Sequence, residues 1–158
     1  TRKPYLEREA YHFSISHCGD YAAVIASKAQ RVGIDIELVT PKVLKVRDKF
    51  LSEIDSQRAW ENIAGLRRAV AGIDGDLPTV LWRVKEAVFK WYGKGRVDFK
   101  DHIQIGGGIR AEDDWLRVPV LFMKDSSRPL QLNAKSFDAT GEGTLVLSWV
   151  VTGLTGDS

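Results

Sequence analysis

The chain has 158 residues, 44% hydrophobic and 28% charged, a balance that excludes a disordered polymer and leaves enough apolar mass for a core in one domain or two small lobes. Its net charge of +2 is too small for a nucleic-acid binder and suits phosphate ligands or an acidic partner. The single cysteine, Cys18, excludes an internal disulfide framework and a cysteine zinc cluster, and no apolar run approaches the roughly 20 residues of a membrane helix, so a soluble, cytoplasmic protein is expected. The opening TRKPYL reads as the middle of a connection, so further chain is expected upstream.

In chain order, FSISH (Phe13 to His17) alternates at the strand period, and an apolar run from Tyr21 to Ala26 follows the turn signal Gly19-Asp20, which predicts a hairpin. A strand over Val32 to Glu37 leads through Thr40-Pro41 into a charged helix-like stretch, about Val43 to Leu51. Helical spacing recurs from Ile54 to Val70, and AGIDGDLPT, with Gly72, Gly75 and Pro78, predicts a loop. Val80 to Tyr92 is strongly helical and stops at Gly93-Lys94-Gly95. Beyond it, β-branched and aromatic segments around His102 to Ile105, Val118 to Met123, Leu130 to Phe137 and Thr144 to Val151 predict an antiparallel sheet. The run Gly106 to Gly108 lacks the strand, spacing and helix of a dinucleotide fingerprint and reads as a turn.

Two segments carry chemistry. In VGIDIE, Val32, Ile34 and Ile36 alternate with Gly33, Asp35 and Glu37, so one strand face is greasy and the other presents two carboxylates about 7 Å apart. A divalent ion would relieve their repulsion, and oxygen-only ligands favour magnesium, manganese or calcium; solvated acids on a half-exposed strand would give the same pattern. In LWRVKEAVFKWYGKG, Val84, Ala87, Val88 and Trp91 form one apolar face while Trp82 and Phe89 form a second, which predicts a helix packed between layers. Glu86 and Lys90 lie one turn apart beside the second patch, as an ordinary ion pair or as partly desolvated functional groups.

VGIDIE followed after some forty to fifty residues by WRVKEAVFK resembles the two-part signature of the 4′-phosphopantetheinyl transferase superfamily: G-(I/V)-D, a spacer, an aromatic residue, then KE with a lysine four residues beyond the Glu. FSISH resembles the family's SH motif, and RKPYL its GKP segment with Arg2 where glycine is common. Arg83 stands where the family often has a small or hydroxyl residue. The likeness is to the surfactin-type branch, whose two similar lobes bind coenzyme A between them. It implies an α+β fold, an antiparallel sheet packed against helices, with residues 1–30 ending a first lobe that is otherwise missing. Residues 31–153 would then form the metal-binding lobe, and 154–158 a flexible tail.

The resemblance implies magnesium-dependent transfer of the 4′-phosphopantetheine arm of coenzyme A to a serine of an acyl or peptidyl carrier protein. Asp35, Glu37 and Glu86 would hold magnesium, or manganese in its place; Glu86 would also take the serine's proton, and Lys90 would stabilise phosphate charge. Ser16 and His17 would hydrogen-bond the phosphates, Lys3 and Pro4 would line the nucleotide part of the site, and Lys85 would be a secondary phosphate contact. His12 and His102 are expected to be structural, and the Cys18–His17 pair, on opposite strand faces, has no dyad geometry. The basic set Lys42, Lys45, Arg47 and Lys49 would either attract an acidic carrier helix or form a solvated face. The alternatives are another magnesium-dependent phosphoryl-transfer enzyme using water as nucleophile, and an inactive binding lobe.

Overall fold

The computed structural model describes the backbone of residues 5–6 and the whole of residues 11–153. The expected ligand contacts of Lys3 and Pro4, and the tail from 154 to 158, lie outside the described residues. The N-terminal strands β1 (Tyr5–Leu6), β2 (Tyr11–Cys18) and β3 (Tyr21–Ser27) form a small antiparallel sheet in the order β1-β2-β3, with β2 and β3 as the predicted hairpin. β4 (Gln30–Leu38) then opens a second sheet with β5 (Ile103–Ile105), β6 (Arg110–Glu112), β7 (Trp115–Phe122), β8 (Arg128–Ala139) and β9 (Gly143–Gly153). Its order is β4-β9-β8-β7-β5, with β6 also on β7, and every pairing is antiparallel.

Between β4 and β5 run four helices, α1 (Lys42–Phe50), α2 (Glu53–Trp60), α3 (Ile63–Ala69) and α4 (Ile73–Tyr92). The chain is α+β, with helices against one face of the larger sheet, as expected. The stretch from Ile54 to Val70 is two helices, because Ser52 caps the first through a reciprocal capping box with Asp55 and the chain breaks at Glu61-Asn62.

The loop expected over AGIDGDLPT is a correction: only Gly72 punctuates, with φ of 75° at the N-cap, and α4 starts at Ile73. Gly75 and Pro78 lie inside the helix. Proline costs the hydrogen bond to the Asp74 carbonyl, but Ile73, Leu77 and Val80 are each 1% exposed or less, and that burial outweighs the local preference. Asp74 and Asp76 in the first turn also complement the helix dipole. The far end stops as expected, at Gly93 in the left-handed region with its N–H on the Phe89 carbonyl at 3.1 Å.

Both apolar patches on α4 are used. Val84, Ala87, Val88 and Trp91 are buried in the main core, whereas Trp82 stacks on Phe50 of α1 with ring centroids 4.8 Å apart and Phe89 meets Phe99 at 5.9 Å. α4 crosses β4 at Gly33, where an added Cβ would stand 2.3 Å from the Ala87 carbonyl oxygen and 2.7 Å from the Trp91 nitrogen.

β2 meets β4 in an unusual manner. Ser14 and Ser16 face inward and Ile15 outward, the reverse of the usual polarity. Their hydroxyls accept the N–H groups of Ile34, at 3.1 Å, and Ile36, at 3.0 Å, so serine side chains satisfy the edge of β4 that does not pair with β9.

Candidate active site

Asp35 and Glu37 project from the same face of β4, as the alternation requires, and Asp35 sits opposite Ser148 of β9. This face is turned toward α4. Asp35 is consequently only 5% exposed, and each of its oxygens is engaged. The Arg83 Nη1 lies 2.6 Å from Oδ2, while the Lys90 Nζ lies 3.0 Å from Oδ1. The Ser16 hydroxyl also donates to Oδ1 at 3.2 Å. Arg83 and Lys90 are seven residues apart on α4, two turns, so they flank Asp35 from one helix face.

Glu37 is more open, with a side chain 44% exposed. It accepts the Cys18 thiol at 2.7 Å and lies 4.0 Å from the Arg83 Nη1. That hydrogen bond, with some burial, raises the thiol's pKa above its ordinary value, and a protonated thiol is a poor nucleophile.

Glu86, the third carboxylate, accepts the Trp82 indole N–H at 3.2 Å. Burial first, and then the Asp35 carboxylate, push the Glu86 carboxyl above its usual range, against the pull of Arg83, the Trp82 indole and Lys90. Glu86 also lines a cleft of ≈ 440 Å³ with Lys49, Phe50, Trp82 and Phe99. A carboxylate of raised basicity at an open, partly aromatic cleft has the chemistry of a proton acceptor.

Three carboxylates with oxygen-only donors suit a hard divalent ion such as magnesium. Among the described residues no group of three or more His, Cys, Asp or Glu is gathered closely enough to enclose a metal. The positive charge beside Asp35 and Glu37 comes instead from the Arg83 guanidinium, 2.6 Å from the first and 4.0 Å from the second. The donor set fits the ion in kind, with a guanidinium in contact with one of its carboxylates.

The other expected ligands divide. Ser16 is committed to Asp35 and the Ile36 N–H, whereas His17 is exposed on the opposite face of β2 beside Ile15. Lys85 departs from the expected phosphate contact. Its side chain is fully buried, and its ammonium donates to the Phe50 carbonyl at 2.7 Å, the Asp55 Oδ2 at 2.7 Å and the Phe99 carbonyl at 2.6 Å. All three donors are spent inside the fold, and Asp55 extends the network by accepting the Ile105 N–H at 2.8 Å. Lys85 thus ties α1, α2, the 98–102 turn and β5 to α4.

His102 is structural, as expected, its Nδ1 accepting the Asp98 N–H at 2.9 Å. Gly106 to Gly108 is an irregular connection before β6 and not a phosphate loop. Lys42, Lys45, Arg47 and Lys49 are all exposed on α1, around an exposed Leu44. Reasoning from sequence did not find Arg83 or Ser14. Arg83 carried a signal, a cation at a position where the family pattern prefers a small residue, and the S-x-S spacing on β2 carried another. No helix among the described residues is long and apolar enough to cross a membrane.

Comparison with known proteins places this arrangement. The chain is 31% identical over 91 residues to a protein of Synechocystis sp. named as a 4′-phosphopantetheinyl transferase, covering 56% of this chain and 34% of that protein. It is 34% identical over 86 residues to the 4′-phosphopantetheinyl transferase psf-1 of Bacillus pumilus, covering 54% of this chain and 34% of that protein. The chain thus spans about a third of the length of the curated relatives it matches. A family model described as the 4′-phosphopantetheinyl transferase superfamily matches residues 31–148, all of α4 and all but the first residue of β4 included, and the chain belongs to that superfamily.

Proposed function

We propose that this chain contributes the metal-facing part of a magnesium-dependent 4′-phosphopantetheinyl transferase, which moves the arm of coenzyme A onto a serine of an acyl or peptidyl carrier protein in the cytoplasm. The observation that carries the reading is the position of Glu86. It sets a carboxylate at an open cleft and near enough to Asp35 for the two charges to repel, on the segment that resembles the superfamily's KE motif.

Asp35, Glu37 and Glu86 would hold the divalent ion, magnesium or manganese. When bound, the ion neutralises pyrophosphate charge and polarises the phosphorus under attack. Glu86, at the open cleft, accepts the proton of the incoming serine hydroxyl. Lys90, 25% exposed and 3.0 Å from Asp35, is the mobile cation placed to move from the carboxylate to a phosphate oxygen. Lys85 is left out of the ligand set because its donors are held within the core.

His17 lies on the outer face of the small sheet with Ile15 and Val24, which are 46% and 62% exposed. Such an apolar strip supports the reading that residues 1–30 close a first lobe, with His17 meeting the phosphates from a cleft between lobes. Cationic α1, with Leu44 among its lysines, has the surface to receive an acidic carrier helix.

The test is intact-mass analysis of apo carrier protein incubated with coenzyme A, magnesium and the chain. A magnesium-dependent gain of one phosphopantetheine mass is expected. Release of phosphate without that gain would favour a phosphohydrolase, and binding of coenzyme A without either would make the chain a binding lobe.

A further inference from the structure

We propose that Arg83 is an internal cation that occupies the carboxylate site until a divalent ion displaces it, so that metal binding and withdrawal of the Arg83 guanidinium from Asp35 are one event. The inference rests on the reading of Asp35 and Glu37 as metal ligands.

The geometry makes co-occupancy untenable. Nη1 of Arg83 lies 2.6 Å from the Asp35 Oδ2 and 4.0 Å from the Glu37 Oε2, so one nitrogen addresses both carboxylates. A magnesium ion taking those oxygens at about 2.0–2.1 Å would fill the volume this nitrogen occupies and set a double positive charge against a single one at contact distance. Lys90 has already taken the other Asp35 oxygen, at 3.0 Å, so rotating the carboxylate offers no free lone pair of comparable access.

The guanidinium is also incompletely satisfied where it lies. Its Nε is buried and has no hydrogen-bond partner among the described residues, a cost that lowers the barrier to leaving. Arg83 would not be stranded on leaving Asp35, because its guanidinium carbon already stands 5.0 Å from the centre of the Trp82 ring, which lines the cleft. Release from Asp35 can therefore leave the charge over that aromatic face. The chain thus spends part of its metal affinity on exchanging one cation for another, and in return does not bury an uncompensated Asp35 when metal is absent.

The decisive measurement is manganese binding, read from the electron paramagnetic resonance signal of free Mn2+, with no coenzyme A present. It compares the full chain with its Arg83→Gln and Glu37→Gln variants. Arg83→Gln keeps two of the three stem methylenes and removes the charge, and should bind Mn2+ at least about tenfold more tightly, ~1.4 kcal/mol. Glu37→Gln, at a half-exposed position, should bind more weakly. Equal or weaker binding by Arg83→Gln, with Glu37→Gln still impaired, overturns the displacement and leaves the metal reading standing. Unchanged binding in Glu37→Gln overturns the metal reading and the displacement with it.

A measurement on the unaltered chain guards against a folding defect in Arg83→Gln. The buried Arg83 Nε–H should exchange slowly without metal and become fast-exchanging as Mg2+ saturates the protein, with a concurrent shift of the Trp82 indole proton. An Nε–H signal that stays protected at saturating Mg2+ overturns the proposal.

Discussion

Gly33 and Ala87 are in backbone contact: a Cβ on Gly33 would lie 2.3 Å from the Ala87 carbonyl oxygen. This approach fixes where α4 crosses β4, and therefore which α4 side chains reach Asp35. Had the helix stood a methyl group further off, Arg83 and Lys90 would no longer reach that carboxylate. The glycine of the G-I-D segment serves the site through distance, since no positive φ requires it.

Gly33→Ala should accordingly destabilise the chain by about 3 kcal/mol or more, since the atoms in the way are helix backbone and not the end of a flexible side chain. The midpoint of urea unfolding checks this. A midpoint unchanged from the parent would mean that the crossing is looser than these contacts require.

Lys85→Met should cost about 3–5 kcal/mol, because it leaves the fully buried Asp55 facing two carbonyls, Phe50 and Phe99, with no cation between them. The loss should appear in thermal unfolding. At a temperature where the variant is folded, its KM for coenzyme A should stay within about twofold, whereas a phosphate ligand would raise KM by tenfold or more. A large KM effect in folded protein would return Lys85 to the phosphate site.

Glu86→Gln should abolish transfer, by at least about a hundredfold in kcat, with little loss of fold, since glutamine keeps the Trp82 indole as a partner. Asp35→Ala is a poorer probe. It would strand the buried Arg83 and lose the Ser16 hydrogen bond, so its inactivity would be mixed with unfolding. A Glu86→Gln variant with normal turnover would remove Glu86 from the chemistry.

Asp98, beside the cleft, accepts the N–H groups of Lys100 and Asp101 at 2.9 and 3.0 Å, and these backbone donors hold its carboxyl below the usual aspartate range. A depressed folded-state pKa stabilises the turn above the unfolded value and loses that contribution as pH falls through the folded one. The amide signals of Lys100 and Asp101 should thus titrate together in acid, with a midpoint below that of an ordinary aspartate. A midpoint at or above the ordinary value would show that the turn does not depend on this carboxylate.

The sequence by itself determined the periodic features and those that follow from them. Alternation along VGIDIE put Asp35 and Glu37 on one face, the double apolar pattern of α4 required burial on two sides, and the Gly93 stop and the β2–β3 hairpin lay where the turn chemistry placed them. Such properties are local, set by the 2.0 and 3.6 periods and by backbone conformations that few residues tolerate. Only the tertiary structure decided which neighbour each charge found. Lys85 and Lys90 are both lysines of one helix, yet one is a core strut and the other a site cation, because α1, α2 and the 98–102 turn close over the first while β4 lies under the second. The same non-local packing carried α4 through Gly75 and Pro78, turned Ser14 and Ser16 inward to β4, and brought Arg83 to Asp35 across 48 residues of chain. Electrostatic partnership is a matter of distance in space and of excluded water, and neither quantity is written in sequence separation.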